Sequence, residues 1–443
     1  MMSLRRYSIK SCVIFSIAMS AIRPSVAQVS NPIPTATIRL TLQNALERAR
    51  KSSVAYLGAV MDAQIAREDK KQAVAALLPT VNYNNSAVYT DGTGVNNAVR
   101  FIANNAVHEY MSQGNVHEVL DVAGVADARR ASAVAAAARA RAQIASRGLV
   151  VTVVQSYYAA EAAQLKLVAA QKAADDGASF LKLTEDLEHG GEVAHSDVIK
   201  AQLQANDRQR QLQEAMLNVL NTRLDLSVLL SMNINDSFEL VDDLHENRVL
   251  PDVTDIQVGA ARENPDIQAA LQELRAAGLD VTMARSGYLP SLDFDYFYGI
   301  DAAHFAARTD GIPNLGTSIV ATMNIPIWNW GATQSKVKQA ELRRNQTRRE
   351  LSLAQRKLLA ELQSLYAEAR AASNELANLK QSAALSAESL RLITLRYKNG
   401  ESTVLEVVEA QNTATLSDAA YQDGAVRYRV ALANLQTLTG VIL

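Results

Sequence analysis

The sequence predicts a mainly α protein with a smaller β component, in which long coiled-coil helical hairpins alternate with strand hairpins and the whole plan is written twice. Three observations lead there. The text from Gly191 through Asp197 and Val198 to Ala201-Gln202 returns as Gly400, Glu406, Val407 and Ala410-Gln411 at a constant offset of about 209 residues, far longer than a solenoid period. A Leu-Pro pair precedes an alternating stretch in each half, at Leu78-Pro79 and Leu289-Pro290. From Ala332 to Tyr397 no proline or glycine interrupts, which permits one helix about 95 Å long at ~1.5 Å rise per residue.

Thr41 suits the N-cap of a first helix, expected to run through Leu57, Met61 and Ile65 to Leu78, where Pro79 stops it. Val81, Tyr83 and Tyr89 then alternate with Asn82, Asn84 and Ser86, the two-residue period of a strand. Asp91-Gly92-Thr93-Gly94 supplies turn chemistry, and a weaker extended stretch is expected over 98–119. Val125 to Glu188 reads as an alanine-rich helix; the alanines fit either high helix propensity or close approach of neighbouring helices. Gly190-Gly191 breaks it, a helix from Ser196 to Ser231 follows, and Asn233 to Pro251 is a polar, acidic connector.

The second half repeats the plan. A helix from Thr254 to Ser286 precedes Leu292, Phe294, Tyr296 and Tyr298, which alternate with Asp293 and Asp295. After a turn around Gly311, a second strand is expected from Gly316 to Ile327, with Pro326, Trp328, Trp330 and Gly331 closing it. In the long helix Leu358, Leu362, Leu365, Ala369, Ala372, Leu376 and Leu379 fall at alternating spacings of four and three, an a/d seam. Helices of this length bury their stripes against one another, so a descending and an ascending helix joined at Gly400 form the natural unit.

Residues 1–27 read as a signal peptide. Arg5, Arg6 and Lys10 precede a short apolar run, and Ser25-Val26-Ala27 presents small residues for cleavage. The two repeats are then expected at 28–250 and 251–443. Cys12 is the single cysteine, so the exported chain has no disulfide and no thiolate metal site. The chain carries 44 basic and 46 acidic residues; loss of the first segment takes four basic groups with it and leaves a balance of about −6. That argues against a nucleic-acid partner. No segment approaches 18 consecutive apolar residues, so no membrane-spanning helix is expected. No phosphate loop, hydrolase elbow or zinc signature is present, and His108 and His117 beside Glu109 and Glu118 match no ligand spacing. Neither enzyme activity, cofactor nor metal is therefore expected.

Four strands cannot close a barrel in lipid, where about eight is the smallest number and an open edge costs several kcal/mol per unpaired backbone group. A homotrimer supplies about twelve. Tyr83, Tyr89, Phe294, Tyr296, Phe297, Tyr298, Trp328 and Trp330 lie in or beside the strands, as interfacial girdles do. The competing reading of the same pattern is a soluble periplasmic coiled-coil scaffold or adaptor protein.

Leu289-Pro290 ahead of an aromatic strand, Pro326-Ile327-Trp328-Asn329-Trp330-Gly331, the tip text Arg396 to Gln411 and the closing Ala431 to Gly440 together resemble the TolC-type outer-membrane efflux protein family over nearly the whole mature chain. The resemblance implies a trimer with a 12-stranded β-barrel in outer-membrane lipid and an α-helical barrel in the periplasm. It implies partners as well: a periplasmic membrane-fusion (adaptor) protein and an inner-membrane pump or ABC transporter of a type I secretion system. Carried over by position, Tyr397 matches an aromatic that helps latch the closed periplasmic tip, and Glu406 and Glu409 match acids at the narrowest opening. Asp197 is the first-half counterpart of Glu406. Gly190, Gly191, Gly400 and Ser402 mark the tips expected to dock the adaptor, and Pro79, Pro290, Pro326, Trp328 and Trp330 the transition from barrel to helices.

The chain departs from the pattern at Ser402, where an arginine is expected, at His189 against Lys398, and at Val116 to Gly124, which lacks the proline and aromatics of 326–330. Glu406 and Glu409 lie three apart on one helix face. In a trimer they form stacked acidic rings that favour cations.

Overall fold

The computed structural model describes residues 38–90 and 108–439, apart from 234, 235, 237, 247 and 304. The expected signal segment, the Asp91–Gly94 turn and 98–107 lie outside the described residues. The first half runs β1 (Ile38–Leu40), α1 (Leu42–Ser52), α2 (Val54–Ala75), β2 (Thr80–Tyr89), β3 (His108–Leu120), α3 (Val122–His189) and α4 (His195–Leu229). The second runs β4 (Phe238–Leu240), α5 (Val253–Glu263), α6 (Pro265–Ser286), β5 (Ser291–Ala302), β6 (Arg308–Thr309), β7 (Ile312–Pro313), β8 (Leu315–Asn324), α7 (Ala332–Lys398) and α8 (Val404–Thr439). Apart from the small β6–β7 hairpin, the two halves share one element order. The repeated text thus carries a repeated order of elements among the described residues.

Several boundaries differ from the sequence expectation, each for a local reason. The single helix expected over 41–78 breaks at Ser53, whose backbone is extended and whose side chain caps α2 by accepting from the Tyr56 amide at 3.3 Å. The matching helix of the second half breaks at Asn264, where Pro265 occupies the first helical turn and disfavours a helical residue before it. The two breaks are counterparts in the repeat. The last strand stops at Asn324, so Pro326 lies in the linker to α7 rather than in the sheet. The acidic connector contains β4, which pairs in parallel with β1 (Ile38↔Phe238, Leu40↔Leu240).

The four long strands form one antiparallel sheet in the order β2-β3-β5-β8. All four junctions with helices lie at one end, since Thr80 pairs with His117, Leu120 with Leu292 and Ser291 with Asn324. Cross-strand pairing assigns the faces. Val81, Tyr83, Val116, Leu292, Phe294, Tyr296, Tyr298, Ile319 and Met323 share one; Asn82, Asn84, Gln113, Asn115, His117, Asp293, Asp295, Ser318 and Thr322 share the other. The first face is mainly apolar, though Asn85, Ser112, Glu118 and Thr317 share it, and the second is mainly polar, with Val119, Phe297 and Val320 among its polar groups; on it His117 Nδ1 lies 2.9 Å from Asp295 Oδ1 and Asn324 Nδ2 donates to Asp293 at 2.6 Å. Among the described residues β2 and β8 each keep one free edge.

The helices continue this row, with α2 packed on α3, α3 on α6 and α6 on α7. At 68 and 67 residues, α3 and α7 are each about 100 Å long. The predicted seam is real: Leu362, Ala369 and Ala372 are buried against Ile256 of α5 and Tyr428, Ala431 and Leu435 of α8, with Leu358, Leu365 and Leu376 packed alongside. A second core lies around the β1–β4 sheet, where Leu40, Leu46, Val153, Val154, Tyr157, Leu226 and Phe238 meet. Tyr157, fully buried, places its hydroxyl 3.0 Å and 2.9 Å from the carbonyl oxygens of Leu40 and Val241, tying both short strands to α3. Among the described residues no helix is long and apolar enough to cross a membrane.

Candidate functional site

The ends of the two hairpins farthest from the sheet are built from one turn used twice. In the first, the Glu192 amide donates to the Leu187 carbonyl at 2.9 Å and the Gly191 amide to the Glu188 carbonyl at 2.8 Å; in the second, Glu401 donates to Arg396 at 2.9 Å and Gly400 to Tyr397 at 3.0 Å. This is the Schellman pattern, which needs a left-handed residue just past the helix. Gly191 (φ 76°) and Gly400 (φ 75°) supply it. Sequence identified these two positions because glycine alone adopts that conformation without steric cost.

The tips differ in how the next helix starts. α4 begins after Ala194 without a side-chain cap. At α8 the Thr403 hydroxyl accepts from the Glu406 amide at 3.3 Å, and Glu406 is itself hydrogen-bonded to the Ser402 hydroxyl. Glu406 thus belongs to the capping of its own helix, while Glu409, one turn on, is exposed. Asp197 is held on α4 by Lys200 at 3.0 Å. Ser402, where the resemblance expects arginine, makes its bond within its own turn. Across the first tip, His195 Nδ1 lies 2.7 Å from Glu188.

Tyr397 is 4% exposed. Its ring lies 5.1 Å from that of Phe180, its hydroxyl donates to Thr184 Oγ1 at 3.3 Å, and Ala201, Val404 and Val407 complete the cluster. One side chain from α7 thereby joins the second hairpin to the first. Burial raises its phenol above the ordinary value, with the Thr184 hydrogen bond opposing and the Asp197 carboxylate reinforcing the shift.

Sequence reasoning missed Phe180 and Thr184. It also missed Arg208 of α4, which is 2% exposed and donates to Asn412 of α8 at 2.7 Å and to Gln211 at 2.8 Å. Its guanidinium has no carboxylate among these bonds, and burial lowers its pKa. The available signal was Gly177, an interior-helix glycine; a Cβ there would meet Arg208 Cγ at 3.4 Å. Toward the tip from Arg208, a groove of about 630 Å³ runs between α3 and α7, lined by Lys172, Asp176, Phe180, Leu390, Arg391 and Lys398.

At the sheet end, Pro79 and Pro290 stand immediately before β2 and β5. Trp328 and Trp330, 75% and 89% exposed, pack edge-on with centroids 5.8 Å apart in the linker from β8 to α7. Trp330 and Gly331 are both left-handed (φ 54° and 81°), which turns the chain into α7. The tips and these junctions therefore lie at opposite ends of the hairpins. Among the described residues no group of three or more His, Cys, Asp or Glu has the arrangement of a metal site.

The model of the family described as "Outer membrane efflux protein" matches residues 258–441. Outer membrane protein OprJ of Pseudomonas aeruginosa is 27% identical over 171 residues, 39% of this chain and 36% of OprJ. Outer membrane protein TolC of Escherichia coli is 25% identical over 185 residues, 40% of this chain and 37% of TolC. The matched part thus spans well under half of these relatives. The fold likeness extends further. The open-state MtrE outer membrane channel of Neisseria gonorrhoeae superposes with a TM-score of 0.78 at 19% identity, covering 90% of this chain and 88% of MtrE. VceC, an outer membrane protein of Vibrio cholerae, gives 0.77 at 18% identity over 90% and 96%. The second half of the chain thus matches the outer membrane efflux protein family, and the fold it shares with solved outer membrane channels extends over nearly its whole length.

Proposed function

We propose that this protein is the outer-membrane channel of a tripartite efflux pump or type I secretion system, a passive homotrimeric conduit from the periplasm to the exterior, gated at its periplasmic tip. One observation carries the reading: a four-stranded sheet with one mainly apolar face, one mainly polar face and, among the described residues, two free edges runs directly into a row of four helices in the same lateral order. Three such sheets joined β2 to β8 close about twelve strands, leaving no unpaired edge in lipid. The outermost helices of the row carry the matching signal, with Met61 and Ile65 of α2 and Leu342, Leu353 and Leu359 of α7 exposed on the single chain. Apolar stripes at both ends of an open row call for copies of the same row.

In this reading the apolar sheet face meets outer-membrane lipid, Trp328 and Trp330 sit at its periplasmic border, and the hairpins extend into the periplasm. The tips at 190–191 and 400–402, with the groove between α3 and α7, receive a membrane-fusion adaptor, which links the channel to an inner-membrane pump or ABC transporter. Energy comes from that partner, because a conduit does no chemistry. Tyr397 holds the hairpins together in the resting tip, and Glu409, with Glu406 and Asp197, supplies the acidic rings.

Membrane fractionation and cysteine cross-linking test the proposal. Val81→Cys on β2 with Met323→Cys on β8 probes the two edges near their junction ends; flotation with the outer membrane and cross-linked trimers are expected. Release by osmotic shock as a soluble monomer would support the scaffold alternative instead.

A further inference from the structure

The acidic connector that the channel reading leaves unused forms one wall of a slot beside the β1–β4 sheet, about 430 Å³ in volume. At its base lies Glu161 of α3, 3% exposed. Glu161 Oε1 accepts from the backbone amides of Asp243 and Leu244 at 3.1 Å and 3.0 Å. Its Oε2 is buried and has no hydrogen-bond partner, and Glu161 is one of the residues lining the slot. What stands against it is the Asp242 side chain, a second acceptor.

A buried carboxylate oxygen without a donor is costly, and the slot shows what would satisfy it. Glu239 and Asp242 place two further acids on its wall, Gln164 adds an amide, and Ala160, Leu165, Phe238 and Leu240 supply the apolar part. Arg223 also reaches the slot, but its guanidinium stacks 4.5 Å over the Phe238 ring and donates to the Phe238 carbonyl at 2.6 Å, so it is committed elsewhere. The missing partner is thus a cation. The accessible area of the wall is mainly apolar, a surface that a hard metal ion ringed by oxygens leaves unused. An ammonium on an alkyl stem matches both parts of it, with three N–H donors at the head and methylenes along the stem.

We propose that this slot binds a primary alkylammonium group, with the head received by Glu161 and Asp242 and the stem lying against Leu165 and Leu240. The site lies within one protomer and is independent of the channel assignment. Two sources share this chemistry: a lysine side chain projected by a docking protein, and a free alkylamine.

In the empty slot a proton takes the cation's place. Burial, then the hydrogen bond shared with Asp242, raises Glu161 to about 8, against the opposing pull of the Leu244 amide. The ionisable groups facing it are Tyr157 on its own helix, Asp242 and Asp243 on the connector, Glu239 on β4 and Arg223 on α4. Binding at pH 7 is therefore an exchange: the protonated Glu161 gives its proton to the buffer, and the carboxylate formed pairs with the incoming ammonium.

Titration calorimetry of the full chain in nonionic detergent tests this, using n-butylammonium in two buffers of different ionisation heat. Binding with release of about one proton per chain at pH 7, falling toward none at pH 9, is expected. Glu161→Gln keeps the oxygen that accepts from Asp243 and Leu244, so the connector stays in place. It should bind at least about tenfold more weakly and release no proton. Asp242→Asn, at an exposed position, should also weaken binding and guards against a folding failure of the first variant. Tighter binding of Nα-acetyl-lysine methylamide than of n-butylammonium assigns the source to a protein side chain, and the reverse order to a free amine. No binding by the wild type, equal binding by wild type and both variants, or no proton release at pH 7 overturns the proposal.

Discussion

Replacing Tyr397 with alanine removes the side chain that joins the two hairpins at their tips. The ring is 4% exposed and paired with Phe180 at 5.1 Å. Truncating a buried aromatic costs about 3–5 kcal/mol, part of it the ring pair, worth about 0.5–1.5 kcal/mol. The hydroxyl adds little. Its bond to Thr184 is long at 3.3 Å, and Thr184 keeps its own bond to the Phe180 carbonyl at 2.9 Å, so Tyr397→Phe should cost under about 1 kcal/mol. If this packing exists only in the tip arrangement seen here, Tyr397→Ala shifts the balance between docked and released tips by about two orders of magnitude or more, and Tyr397→Phe by less than about tenfold. Two measurements read it: hydrogen exchange of amides in 180–187 and 393–407, and single-channel conductance in planar bilayers. The alanine variant should exchange faster there and spend more time open. Identical exchange and conductance in both variants would refute a latching role for the ring and leave it an ordinary core residue.

Three further outcomes follow from the same geometry. Gly400→Ala forces a left-handed alanine (φ 75°), costing about 1–2 kcal/mol, and should speed exchange of the Glu401 amide that closes the turn; unchanged exchange there would show that the turn tolerates the side chain. Glu406→Gln with Glu409→Gln should lower cation selectivity in planar bilayers, and Glu409→Gln alone should account for most of the change because Glu406 is bonded to Ser402. Equal selectivity in wild type and double variant sinks the acidic ring. Glu161, raised to about 8 by burial, holds a proton in the folded chain that the unfolded chain has lost between about pH 4.5 and 8. Its stabilising contribution is whole below that window and declines as pH rises through it. The Tm of wild type should therefore fall from pH 5 to 8 relative to Glu161→Gln, and parallel curves would contradict the shift.

The sequence by itself determined the features carried by a sustained heptad period or by a glycine at a left-handed turn position. The seam at Leu362, Ala369 and Ala372 follows from a heptad pattern, and the turns at Gly191 and Gly400 from the left-handed position a Schellman end requires. The duplication was legible because its offset survives in the text. What local pattern could not contain, the tertiary structure decided. The order β2-β3-β5-β8 and the free edges come from pairing between residues far apart in the chain. The three-residue strands β1 and β4 carry no period of their own and exist because each completes the other over Tyr157. Glu161 reads as one more charge on a long helix until the connector folds over it. Glu406, a ring-forming acid in the text, becomes in space partly a helix cap. In each case the sequence names the chemical group, and its environment, set by chain segments distant in sequence, fixes the charge it carries and the partner it keeps.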